Sequence, residues 1–466
     1  MMSRRQLPPG DKTLSPLGIV PRFARDPWAF LADQCQRYGD VVTMQGPFYR
    51  PHLLINDPDL THQILVTHAD KFQKPPLLKR VFTSTFGNGL FFSEGEFWRK
   101  QRKLMQPAFH HHHIIRYGQR MVQHTLEMLS SWQAGHSYDL AREMRTLTLN
   151  IVVDTIFQAD VAEESTQFAE ALTIVGEVLA RQFVNPILAL LPDSFPLPSL
   201  RRKRKAVAEL DRIVYSLIAK RRSQAAGRND LLSLLLMATD EVSGQGMSDV
   251  QLHDEILTLF VAGHETTALT LIWAFILLHQ HPEVEAKLHA ELDSVLNGRP
   301  PTVDDLPDLP YTDYTVKETL RLYPPTGILR EALTTVELGR LTLKKGDIVW
   351  LLPHLIQRDP RYFAEPDRFW PDRFAPDDNG QPLERRIPRY AYYPFGGGPR
   401  ICIGNGFAML EARLLLATIA QHYRLLLPTN YQVKIKFGAT MGPDGPVPVQ
   451  LSQRTGTPEY KPGLPL

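Results

Sequence analysis

The chain has 466 residues, enough for one large domain or two to three ordinary ones. Its 43% hydrophobic and 22% charged residues are the balance of a soluble globular protein, and a formal net charge of only +2 gives nucleic-acid binding no global electrostatic support. Two cysteines, Cys35 and Cys402, are too few for a disulfide scaffold, a zinc ribbon or an iron–sulfur cluster, so a metal at either must rest on a single thiolate, and a reducing, cytoplasmic location is expected.

Residues 1–22 are polar and dotted with proline, and no apolar run there reads as a signal peptide or membrane anchor. Residues 1–20 are expected to be a poorly ordered tail on a single domain spanning 1–466, since no repeat or linker divides the chain. The first hundred residues mix short β-type runs, such as 52–56, with helical stretches; Cys35 falls on an early helix and is expected to be inert. The segment 82–92 reads as an aromatic, glycine-containing loop with Phe82, Phe86, Phe91 and Phe92, which fits either an apolar pocket or an ordinary core. From 97 to 286 the pattern is almost wholly helical, with apolar residues at helical spacing in 126–129 and 210–218. Within it, His110 to His113 read as a solvated turn, and the apolar, Pro-rich stretch 183–200 as a lid over a substrate entrance. The basic run 201–205 reads as a solvated helix start.

The longest apolar stretch, 256–278, carries His264, Glu265, Thr266 and Thr267 at its centre. A charged side chain at mid-bilayer costs roughly 2.5–3.5 kcal/mol, so a core helix with a polar break facing a cavity is the better reading. Ser248 and Gln251 form a capping-box signature and Pro282 a stop, giving a helix of about 32 residues and roughly 48 Å. Gly263 costs about 1 kcal/mol relative to alanine in a helix interior. Its presence predicts either a deformed helix or something packed closely against the backbone, such as a cofactor. Near the end, alternating Val433, Ile435 and Phe437, the turn at 442–445, and Val447, Val449 and Leu451 read as a hairpin. The fold class expected is mainly α with a minor β region.

Chemistry concentrates in the loop Phe395-Gly396-Gly397-Gly398-Pro399-Arg400-Ile401-Cys402-Ile403-Gly404. Three glycines remove side-chain bulk, so the backbone can lie against a flat cofactor. The helical run after Gly404 puts the thiol just before a helix N-terminus, where free N–H groups stabilise a thiolate. Arg400 can pair with an anionic cofactor group. An isolated cysteine beside a turn would be an ordinary buried residue, but that does not explain all ten positions.

Phe395-x-x-Gly398-x-Arg400-x-Cys402-x-Gly404 resembles the haem-binding signature of the cytochrome P-450 family at every position. Ala262-Gly263-His264-Glu265-Thr266-Thr267 resembles its distal oxygen-binding helix motif, and Glu318-Thr319-Leu320-Arg321 its Glu-x-x-Arg helix. Phe369-Trp370-Pro371-Asp372-Arg373-Phe374 is similar to its Pro-Glu-Arg-Phe meander, with Asp372 for the usual Glu. Trp98 and Arg102, one helical turn apart, extend the match toward the N-terminus.

The resemblance implies a single large helical domain with small β-sheets, binding haem b through an axial thiolate from Cys402. Such a ligand pushes electron density onto iron and favours O–O cleavage. By resemblance, Ala262 and Gly263 line the haem, Thr266 hydrogen-bonds the oxygen being cleaved, and Glu265 helps feed protons from solvent. A Thr266 hydroxyl bonded back to its own helix is the plainer alternative. Trp98, Arg102, Arg330 and Arg400 are the expected propionate partners, with Phe395 and Gly404 completing the cofactor contacts. Glu318, Arg321 and Arg373, the last chosen over Arg368 in a near-duplicate motif, are expected to form a buried charge network that locks the cysteine loop.

The activity implied is a monooxygenase that hydroxylates or epoxidises an apolar small molecule, such as a fatty acid or terpenoid, with O₂ and two electrons. A separate ferredoxin- or flavodoxin-type donor would dock on the basic face around Arg99, Lys100, Arg102 and Lys103, and the protein is expected to be a monomer without a transmembrane anchor. A peroxide-using or isomerising haem-thiolate enzyme, and a haem sensor or carrier, are the alternatives. The Glu265–Thr266 pair speaks against both.

Overall fold

The computed structural model describes residues 7–11, 18–23, 25–46, 51–157, 162–223, 230–239, 244–436 and 438–454. With 59% helix and 11% strand, it has the mainly α architecture expected.

Six helices frame the site: α1 Pro76–Phe86, α2 Gly95–Met105, α3 Leu140–Phe157, α4 Ala162–Val184, α5 Pro198–Ser223 and α6 Asp249–Gln280. Two more follow it, α7 Pro310–Leu322 and α8 Asn405–His422. The axis of the molecule is α6, whose ends are those the sequence encodes. The Ser248 amide donates to Gln251 Oε1 at 2.8 Å and the Gln251 amide to Ser248 Oγ at 3.3 Å, while Pro282 opens the next helix after His281. By length and composition α6 could cross a membrane, but 67% of its most apolar window is buried inside the protein. It is a core helix.

Two hydrophobic cores meet along α6. The half from Ala268 to Leu278 packs with α7, α8 and the helix Gly118–Ser130. The half from Leu252 to Phe260 packs with α1, α3, α4 and α5. Between them, at 262–266, neither core continues: Gly263 to Thr266 are half-buried, and Ala262 is exposed in the middle of the longest helix.

A five-stranded sheet supports the other side, built from β1 Val41–Gln45, β2 Pro51–Ile55, β3 Phe72–Gln73, β4 Ile328–Ala332 and β5 Ile348–Leu351. Its order is β1-β2-β5-β4-β3, antiparallel except for β2 beside β5. The tail expected at 1–20 is partly fastened to this sheet. Thr43 donates its amide to Pro9 O and its hydroxyl to Pro8 O, both at 2.8 Å, and Asp11 accepts from Tyr38 and Gln34. The remainder of 1–6 and 12–17 lies outside the described residues.

Three further expectations need correction, and the alternative left open at Gly263 is decided. The C-terminal hairpin turns earlier than expected: Ile435–Lys436 pairs with Gly442–Pro443, whereas Pro448–Gln453 pairs with Tyr423–Leu426 and Ser137–Asp139. Phe437, part of that reading, lies outside the described residues. Half of the supposed loop 82–92 is the end of α1, and Phe82, Phe86 and Phe92 stack there with centroids 5.2–6.5 Å apart. The basic helix start is not wholly solvated: Lys203 is buried and donates to Asp193 and Gln182. Finally, α6 is continuous through Gly263. A Cβ on Gly263 would lie 3.2 Å from Val152 Cγ2, so the close approach is that of α3. In the segment 183–200, Leu190 and Phe195 are exposed, while the side chains of Phe183, Val184, Pro186 and Ile187 are outside the described residues.

Candidate active site

The loop carrying Cys402 is closed on itself by the Cys402 amide donating to Phe395 O at 3.0 Å. Gly398, at φ +64°, lies so close to the short helical segment Gln63–Thr67 that a Cβ there would collide with the Leu65 carbonyl. Phe395 packs against the first core and Ile403 against the second, which places the loop at the same junction of cores as 262–266. Cys402 itself is accessible at its surface, yet burial among protein atoms pushes its thiol up from the usual range. The Gly404 N–H at the start of α8 and the Arg102 charge act the other way, favouring the thiolate.

The Arg102 guanidinium donates to Ile401 O at 3.0 Å, one residue before Cys402, so it braces the loop. Trp98 lies under Arg400, whose guanidinium carbon sits 4.0 Å from the ring centroid. Arg400 also donates to Ser93 O at 2.8 Å and pairs with Glu94.

Around Arg400 the charges do not balance. Lys74 is buried 3.6 Å from Glu94, and burial, then Arg330 and Arg400, push its ammonium down to about 7. Burial and Arg400 likewise lower Arg330 to about 10; among the described residues its side chain donates only to Leu329 O, at 2.9 Å. Ser93 Oγ is buried there with no hydrogen-bond partner among the described residues. Two guanidiniums and an ammonium driven toward neutrality thus face one carboxylate in a low-dielectric setting, and further anions would let all three carry full charge. Two propionates match that deficit, and together with the accessible thiol they make these residues fit haem. Among the described residues, no three His, Cys, Asp or Glu side chains gather as a metal site, so iron at Cys402 would have to come within such a cofactor.

On α6, Glu265 is gripped by Arg145 of α3, Nε to Oε2 at 2.9 Å and Nη2 to Oε1 at 3.3 Å. The Thr266 hydroxyl donates to Ala262 O at 2.8 Å, and Thr267 does the same to Gly263 O at 3.2 Å. His264 is turned into its own helix, Nδ1 lying 2.6 Å from Phe260 O, and burial lowers its pKa. Glu318, Arg321 and Arg373 form one buried network: Arg321 donates to both Glu318 oxygens at 2.7 and 2.9 Å, and Arg373 to Oε1 at 3.0 Å. Arg368 instead pairs with Glu365 at the surface.

The model of the cytochrome P-450 family matches residues 8–450. This chain belongs to the cytochrome P-450 family. Cyclooctat-9-en-7-ol 5-monooxygenase of Streptomyces melanosporofaciens is 35% identical over 411 residues, covering 88% of this chain and 87% of the relative. Pentalenene oxygenase of Streptomyces avermitilis is 34% identical over 445 residues, covering 94% and 96%. The crystal structure of the cytochrome P450DA haem domain superposes with a TM-score of 0.85 at 27% identity, over 97% of this chain and 98% of that one. The protein is therefore a haem-binding oxidoreductase, a cytochrome P-450 monooxygenase.

Residues that sequence reasoning missed are Lys74, Glu94 and Arg145. Lys74 follows a two-residue strand and precedes two prolines, with no spacing that marks it. Glu94 meets Arg400 across 306 positions, and Arg145 meets Glu265 across 120, so only folding pairs them.

Proposed function

We propose that the Cys402 thiolate would hold the iron of haem b, and that the enzyme inserts one atom of O₂ into an apolar terpenoid. The observation that carries this reading is the accessible, enclosed Cys402 thiol beside a buried cluster of cations short of anions. Arg400, Arg330, Arg102 and Lys74 would hold the propionates, Trp98 would keep Arg400 in place, and Ala262 and Gly263 would line the cofactor. Bound there, haem would supply oxygen activation through its thiolate-ligated iron.

The chain's own part is to move protons and exclude water. Glu265 is half-buried and held by Arg145, so it can exchange protons with solvent while staying in register with the next residue. Thr266 donates to Ala262 O, and a rotation about χ1 would free that hydroxyl for the reacting oxygen. Thr266→Ala is expected to raise peroxide release per electron pair consumed about fivefold or more, an effect of roughly 1 kcal/mol on partitioning. Unchanged coupling in a peroxide assay would remove Thr266 from the reaction.

The substrate class rests on apolar walls and on the relatives. Phe82, Phe86 and Phe92 form a stacked apolar block, and the two relatives' names denote an alkene and an unsaturated alcohol. Electrons would come from a separate ferredoxin- or flavodoxin-type donor drawn to Arg99, Lys100, Arg102 and Lys103 on α2. The experiment is an optical binding screen over cyclic terpenes, terpene alcohols and fatty acids, following loss of water from the iron. Tight binding by cyclic terpenes is expected; binding confined to fatty acids would overturn the substrate class.

A further inference from the structure

The segment 87–92 is fastened to α6 by side chains that the reaction leaves unused. Asp254 Oδ2 accepts from the Asn88 amide at 2.7 Å, and Glu255 Oε2 accepts from the Leu90 amide at 2.8 Å. Contact is close enough to require glycine twice. A Cβ on Gly87 would collide with the Asp254 carboxylate, and one on Gly89 with Thr258 Oγ1 and the Asp254 carbonyl. Asp254 is itself held, since His253 Nδ1 lies 3.0 Å from its Oδ1. The other nitrogen of His253 lies 2.9 Å from Asp211 Oδ1 on α5, and Tyr215 of α5 stacks on the ring at 4.5 Å.

The far end of the segment reaches the cysteine loop, because Ser93 O and the Glu94 carboxylate both bind Arg400. Residues 87–92 therefore run from Thr258, one turn before Ala262, to the loop of Cys402. On the haem-site reading they would wall the space between α6 and that loop.

We propose that Asp254 and Glu255 are positioning residues for substrate: they latch 87–92 against α6 and so set the size of molecule that fits beside Cys402, with His253 coupling the latch to α5 through Asp211. The proposal rests on reading that space as the substrate pocket of a haem-thiolate enzyme.

The charges give the latch a pH dependence. Burial favours the neutral form of Glu255 over the pull of the Leu90 amide, and with Asp254 beside it the carboxyl rises to about 8. Burial opposes the charge on His253, but its bonds to Asp211 and Asp254 outweigh that and raise it to about 9. Residues 87–92 bring no ionisable group, and α5 brings Asp211 and Tyr215. Glu255 holds its proton more tightly in the closed latch than free in solvent, so the latch is strongest at low pH and its hold fades between 4.5 and about 8. The raised pKa of His253 comes from Asp211 and Asp254, so what fades between 6.5 and about 9 is the tie of the latch to α5.

The test uses the full chain loaded with haem and two iron-binding probes, imidazole and the bulkier 4-phenylimidazole, read by difference spectra. In the double variant Asp254→Ala with Glu255→Ala, the Kd of 4-phenylimidazole is expected to change about tenfold, that of imidazole less than about twofold, and the Asn88 and Leu90 amides to exchange about tenfold faster. Gly89→Ala loosens the same contact from the other side with both carboxylates intact, and the same pattern is expected. Glu255→Gln keeps an acceptor for Leu90 but cannot ionise. It is expected to keep the wild-type ratio of the two Kd values at pH 7 and to lose about half or more of the drift in that ratio up to pH 9. Unchanged exchange at Asn88 and Leu90, or equal weakening of both azoles, would overturn the latch alone. A spectrum that responds to neither azole would overturn the haem-site reading, and the latch with it.

Discussion

Cys402→Ser is expected to abolish the far red-shifted Soret band that the reduced wild-type protein shows with carbon monoxide, while Cys35→Ser leaves it intact. The contrast follows from where the two sulfurs sit. Cys35 is on the helix Pro27–Tyr38, packed among Phe30, Leu31 and Tyr38, and burial next to Asp40 raises its thiol to about 12. A thiol held protonated in an apolar layer offers no ligand. Cys402 is enclosed too, but it keeps an exposed surface, and the Gly404 N–H and Arg102 lean toward the thiolate. A ferric centre would add the charge that turns the balance, since a coordinating thiol is deprotonated outright. Serine keeps the size of the side chain and loses the soft donor, so oxygenase turnover is expected to fall by about a thousandfold or more, roughly 4 kcal/mol in the barrier. The measurement is the carbon monoxide difference spectrum together with product formation. A thiolate-type band surviving in Cys402→Ser and vanishing in Cys35→Ser would transfer the ligand assignment.

What the sequence made legible was local chemistry. Ser248 and Gln251 are three apart, so the capping box that starts α6 is written in adjacent turns, and the cysteine loop and Glu-x-x-Arg helix are equally compact. Contacts between distant segments were not legible. Gly263 signalled a close approach correctly, but nothing near it in sequence says that Val152 is what approaches. Gly445, at φ +96°, marks a real turn, yet the strand after it finds partners at 137–139 and 423–426, because pairing is decided by which edges are free in the folded sheet. Lys203 shows the same limit: a basic run looks solvated until α5 is placed against Asp193 and Gln182.

Glu318→Ala is expected to cost about 3–5 kcal/mol and to leave the protein poor in haem. One carboxylate faces two guanidiniums in this network, so its loss strands two buried cations, whereas loss of Arg373 leaves a neutral Glu318–Arg321 pair. The remaining positive charge is spread over carbonyls: Arg321 donates to Gln357 O and Pro366 O at 2.7 Å, and Arg373 to Ala364 O at 2.7 Å. Aromatic faces share it, with Phe363 beside Arg321 and Trp370 beside Arg373. Gln357 carries the effect to the site. Its side chain donates to Leu320 O and Arg321 O at 3.0 and 2.9 Å and accepts from the Tyr393 amide at 3.0 Å, two residues before Phe395. Glu318→Gln keeps an oxygen for the Trp370 amide, now 2.9 Å away, but removes the charge, and an intermediate loss is expected. Thermal unfolding combined with the ratio of haem to protein absorbance checks the order Glu318→Ala, Glu318→Gln, Arg373→Ala, from most to least damaging. If Glu318→Ala unfolded at the wild-type temperature with full haem content, the network would be no more than a contact beside the site. If stability fell while haem content held, the path through Gln357 to Tyr393 would carry no load, because a loosened cysteine loop must lose cofactor first.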